Sequence, residues 1–85
     1  MDPYNIQFTK AADAAFDEMP PTDQREFAER VFLVLQNNPH KGNLLYEVIA
    51  SPSTPGLYHL TFGSSIVSYS IDPSSRTVRV SEFSY

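Results

Sequence analysis

The 85 residues carry a formal net charge of -4, an apolar fraction of 41% and no cysteine. That length supports one domain, residues 1–85, and the missing cysteine excludes disulfides and thiolate metal sites. No apolar run is long enough to span a bilayer and no basic, apolar leader opens the chain, so no membrane contact and a soluble cytoplasmic protein are expected. The charge disfavours a general nucleic-acid binder, whose affinity rests on Lys and Arg neutralising phosphates. Most of the acid falls early (Asp2, Asp13, Asp17, Glu18, Asp23, Glu26, Glu29 and Glu47), whereas the later half sets Asp72 and Glu82 against Arg76 and Arg79 and is close to neutral.

Tyr4, Ile6 and Phe8 alternate with polar residues, which predicts a short strand with those three side chains inward. Thr9 is placed to cap a helix over Lys10–Met19, with Ala11, Ala15 and Met19 on one face and Ala12 and Phe16 beside them. Pro20-Pro21 ends it, since neither residue donates to a helical ladder. Thr22 then caps a second helix in which Asp23 and Glu26 complement the dipole. Its apolar stripe is Phe27, Val31, Val34 and Leu35, widened by Ala28 and Phe32, and Asn37-Asn38-Pro39 stops it. Two helices joined by a tight turn predict a hairpin whose apolar faces need a cover.

His40 to Pro55 has no regular pattern; Asn43–Ala50 fits either a helical turn or an extra strand, and Ser51–Gly56 reads as a surface loop. From Gly56 to Ser81 three alternating runs are separated by Gly63-Ser64-Ser65 and Asp72-Pro73-Ser74-Ser75, a three-stranded antiparallel meander. Tyr58, Leu60, Phe62, Val67, Tyr69, Ile71, Val78 and Val80 point inward; His59, Thr61, Ile66, Ser68, Ser70, Thr77, Arg79 and Ser81 point outward. The expected fold is α+β: an antiparallel sheet of about four strands packed on a two-helix hairpin, in the order β-α-α-β-β-β.

The run F-T-K-A-A-D-A-A-F-D-E-M after the first strand, L-Q-N-N-P closing the second helix, and P-G-L-Y-H-L-T-F-G-S-S-I-V-S-Y-S-I-D before R-T-V-R-V together resemble the RelE/ParE toxin superfamily of bacterial type II toxin–antitoxin pairs. The resemblance runs from about Tyr4 to Val80. It implies the hairpin-on-sheet fold already read from periodicity, a cognate antitoxin as partner, and no cofactor. It also implies one of two activities: RelE-like members cleave mRNA on the ribosome with basic residues of the sheet face, whereas ParE-like members inhibit DNA gyrase. A non-toxic, degenerate binding module is the third reading.

Several positions depart from the RelE-like pattern. His59 stands where an Arg usually follows the aromatic residue, and Ile66 where the next strand often has an Arg. Ser51-Pro52-Ser53-Thr54-Pro55 replaces a loop that tends to carry lysines, and of a C-terminal Arg and Tyr only Tyr85 is present. The catalytic candidates carried by the resemblance are therefore His59 as general acid or base, Arg79 as phosphate contact and Tyr85. The expected activity is an endoribonuclease of reduced or lost strength, since proton transfer without preorganised phosphate donors is weak catalysis. A solvated sheet face carries Ser, Thr and a few charges in any case, which is the plainer account of the same residues.

Other chemistries fare worse. The serines form no nucleophile-elbow motif, and His40, His59 and Asp72 lack metal-ligand spacing. His40-Lys41 reads as a solvated loop, Tyr4, Tyr58 and Tyr69 as core, and the hairpin acids Asp13, Asp17, Glu18, Glu26 and Glu29 as a solvated face or a partner surface.

Overall fold

A computed structural model of the chain describes residues 3–85; Asp2, grouped above with the early acids, lies outside the described residues. The elements are β1 (Asn5–Phe8), α1 (Lys10–Glu18), α2 (Pro21–Glu26), a π-helical turn (Phe27–Val31), α3 (Phe32–Asn37), β2 (Val48–Ala50), β3 (Leu57–Phe62), β4 (Ser65–Asp72) and β5 (Thr77–Ser84). α2, the π turn and α3 run on as one helix, so the expected strand, two helices and three meander strands follow in order, with β2 added before the meander.

The open stretch Asn43–Ala50 resolves into a turn followed by a fifth strand. Asn43 Oδ1 accepts from the Leu45 and Tyr46 amides at 2.9 Å, and β2 then pairs antiparallel with β3. The five strands lie in the order β1-β5-β4-β3-β2. β1 runs parallel to β5, and the remaining pairs are antiparallel.

Thr9 caps α1 as its sequence predicts, accepting from Ala12 N at 3.1 Å. The second helix starts otherwise. Its cap is Pro20, Pro21 takes the first helical position, and no side chain caps it, so Thr22 lies inside the first turn. Pro fits there because the amide it lacks would have had no helical partner. The buried faces are narrower than expected: Ala12 and Met19 are buried and Ala15 and Phe16 half-buried, while Ala11 and Ala28 are exposed. The stripe Phe27, Val31, Val34, Leu35 is buried in full.

The helices cover one sheet face. Leu60, Phe62, Val67, Tyr69, Val78 and Val80 form its floor, as alternation predicts. Phe83 belongs to that floor too, 5.2 Å from Phe27 ring to ring and 5.9 Å from Phe8. Alternation stopped at Ser81 does not predict this. β5 continues to Ser84 through a β-bulge, where Ser68 pairs with Glu82 and the next residue, Tyr69, pairs with Val80, leaving Ser81 as the extra residue. Each phenylalanine sealed in such a cluster contributes about 1.5–3 kcal/mol of burial free energy.

Asp23 is the largest departure among the acids. Expected to complement the dipole of the second helix, it is buried, and its Oδ2 accepts from Ser65 Oγ at 2.6 Å, Ser64 Oγ at 2.8 Å and Ser64 N at 3.2 Å. Glu26 is likewise engaged, accepting from Tyr46 Oη at 2.6 Å.

Candidate active site on the open sheet face

Strand pairing arranges the uncovered face in rows. One row crosses four strands as Ile49, His59, Ser68 and Glu82; the next carries Leu57, Ser70, Arg79 and Gln7. His59 Nδ1 lies 2.8 Å from Ser68 Oγ, a cross-strand hydrogen bond. Ser68, expected to be solvated, is only 6% exposed, and the Ser81 hydroxyl donates to its carbonyl at 3.3 Å. A buried partner on Nδ1 fixes the ring plane and leaves Nε2 to carry a proton to or from anything laid on the face.

Arg79 shares this face with His59 but not its row. It sits between Ser70 and Gln7, beside a shallow groove of about 440 Å³ that Asp72 and Thr77 also line. Two strand spacings and two residues along the strand put its Cα roughly 12 Å from that of His59. Tyr85 joins neither. Its hydroxyl lies against Glu18 at the end of α1, on the helical side, and partial burial followed by the Glu18 carboxylate pushes it above the usual phenol range. The structure thus brings two of the three candidates onto one face and leaves the third elsewhere.

Glu82 is the residue that sequence reasoning passed over. It is exposed in the His59 row, and Ser84 Oγ donates to its Oε1 at 3.0 Å. The signal was the spacing of Val78, Val80 and Phe83, two and then three, which an unbroken strand does not produce.

The remaining candidates separate. His40 sets its ring against Tyr4 and Tyr58, on the side away from the open face, with ring centroids 6.4 and 5.8 Å apart. Tyr69 is buried, stacks on Tyr58 at 6.0 Å and donates to the Pro39 carbonyl at 2.7 Å, and burial drives its hydroxyl far above the ordinary value. Arg76 lies over the Tyr4 ring at 4.3 Å. Among the described residues no group of three His, Asp or Glu side chains is gathered as around a metal ion, and no helix is long and apolar enough to cross a membrane.

No protein-family model matches the chain, and no curated protein matches it in sequence. Solved structures match it in fold, among them two toxin–antitoxin complexes. The archaeal RelE–RelB complex from Pyrococcus horikoshii is 22% identical over 94% of this chain and 91% of the matched chain, with a TM-score of 0.76. The toxin–antitoxin complex RelBE2 from Mycobacterium tuberculosis is 22% identical over 98% of both chains, with a TM-score of 0.77. Helical hairpin, five-stranded sheet and strand order taken together, the chain has the RelE fold.

Proposed function

We propose that the chain is the toxin-like component of a toxin–antitoxin pair, held by a cognate antitoxin and acting as a ribosome-associated mRNA endonuclease of reduced activity. The observation that carries this is the match over nearly the whole chain to structures described as RelE–RelB and RelBE2 complexes. The hydrogen-bonded His59 on the uncovered face supports a chemical role, because an imidazole serves as acid or base near neutral pH. The reduction follows from charge. Among the described residues, Arg79 is the Lys or Arg that a strand carries on this face, and His59 and Ile66 occupy arginine positions of the resemblance. A developing phosphorane charge therefore meets few fixed donors.

That same scarcity favours a second reading, a non-catalytic binding protein directed at DNA gyrase or kept as an antitoxin-binding module. Induced expression with and without the neighbouring reading frame, followed by transcript mapping, separates them. Growth arrest with transcripts cut near the start codon, relieved by the neighbour and lost in His59→Ala, supports the endonuclease. Arrest with intact transcripts overturns it, and inhibition of supercoiling in vitro would then identify the gyrase reading. Harmless expression with a stable complex points to the binding module.

A further inference from the structure

We propose that Glu82 and His59, on either side of Ser68, are the general base and general acid of RNA cleavage on the open face, with Ser68 positioning His59. The proposal rests on the ribonuclease reading and names residues for it.

The bulge carries the argument. Val78 and Val80 point into the core, so an unbroken alternation would send Glu82 toward the helices and Phe83 into solvent. One extra residue, Ser81, reverses both. Phe83 enters the core, and the Glu82 carboxylate arrives on the His59 face, in the row that already holds the His59–Ser68 hydrogen bond. A bulge re-aims the side chains that follow it, and here it turns a helix-facing acid into an outward one.

The spacing suits a phosphodiester. β3 and β5 flank β4, so the Cα atoms of His59 and Glu82 stand about 10 Å apart, and both side chains rise from one surface. A phosphate laid over Ser68 lies between them. The Ser84 hydroxyl fixes one carboxylate oxygen of Glu82, and the Ser68 hydroxyl fixes the imidazole at Nδ1. The ionised carboxylate takes the proton of a ribose 2′-OH. The 2′-oxygen bonds to phosphorus as the bond from phosphorus to the 5′-oxygen breaks, and the protonated imidazole gives its Nε2 proton to that leaving oxygen. The products are a 2′,3′-cyclic phosphate and a 5′-hydroxyl. The step needs no metal and no co-reactant, and single-stranded RNA is the substrate class because the nucleophile is the 2′-OH.

The test is cleavage of a defined mRNA on programmed ribosomes by the purified chain, measured across pH with product ends identified by mass spectrometry. The expected wild-type profile is bell-shaped, with cyclic-phosphate ends and no cutting at a 2′-deoxy position. Glu82→Gln should lower the rate by about 10² or more and remove the acidic limb; His59→Gln should do the same to the alkaline limb. Ser68→Ala should lower kcat with KM unchanged, as expected of a positioning residue. If the wild type cleaves and Glu82→Gln keeps its rate and both limbs, the pair is overturned while the ribonuclease reading stands. A wild type that does not cleave overturns both.

Discussion

The Asp23 carboxylate, in the first turn of α2, accepts a 2.6 Å hydrogen bond from Ser65 at the start of β4, 42 positions along the chain. With Ser64 it ties the hairpin between β3 and β4 to the helical layer. The Ser65 hydroxyl first, then Ser64, hold Asp23 below the ordinary carboxylate range against the opposing effect of burial. A folded value below the unfolded one contributes stability that is present above the unfolded carboxylate range, and that is lost as pH falls through the folded value. The urea midpoint should therefore fall between neutral and strongly acidic pH, and Asp23→Asn should lower the neutral midpoint and shrink that fall. An unchanged acid dependence in Asp23→Asn would remove Asp23 from the account.

Gly63 meets the same carboxylate. Its φ is +56°, and a β-carbon there would collide with Asp23 Oδ1. Gly63→Ala should incur the left-handed penalty of about 1–2 kcal/mol plus the cost of displacing Asp23. In an Asp23→Ala background only the first remains. A double-mutant cycle by urea unfolding should show coupling of about 0.5–3 kcal/mol; strict additivity would mean that the carboxylate moves aside freely.

Tyr46 anchors the loop between α3 and β2. It is buried and donates to Glu26 at 2.6 Å, and burial first, then the Glu26 carboxylate, raise its hydroxyl against the lowering effect of Arg30. Tyr46→Phe keeps the packing and removes one hydrogen bond to a charged group, for an expected loss of about 1.5–3 kcal/mol. A thermal-unfolding midpoint equal to wild type would show that Glu26 finds a replacement donor.

The inward residues of β3 and β4 and the stripe on the second helix were legible because burial follows a fixed period in regular elements. Asp23 was not, since its partners Ser64 and Ser65 lie in a turn far along the chain, and short-range pattern carries no record of them. Nor was the parallel pairing of β1 with β5, which joins Ile6 to Val78. Of the site, His59 and Arg79 were legible as outward residues by parity alone. Glu82 was hidden by the residue count of β5, because one extra residue inverts every assignment after it.

That inversion gives the sharpest stability prediction. Phe83 is 5% exposed, and Phe83→Ala should cost about 3–5 kcal/mol through the cavity it leaves, a large share of the roughly 5–15 kcal/mol that holds a small domain together. Deleting Ser81 removes no apolar atom, yet it should be about as damaging. With the bulge gone, either Phe83 or the pair Val78 and Val80 must turn outward, because both sets share one strand. Ser81→Ala keeps the residue count and loses only a hydroxyl that donates to the Ser68 carbonyl at 3.3 Å, so it should cost no more than about 1 kcal/mol. Urea unfolding of the three variants separates backbone count from side chain. A deletion that unfolds at the wild-type midpoint would mean that β5 re-pairs without the bulge and still buries Phe83.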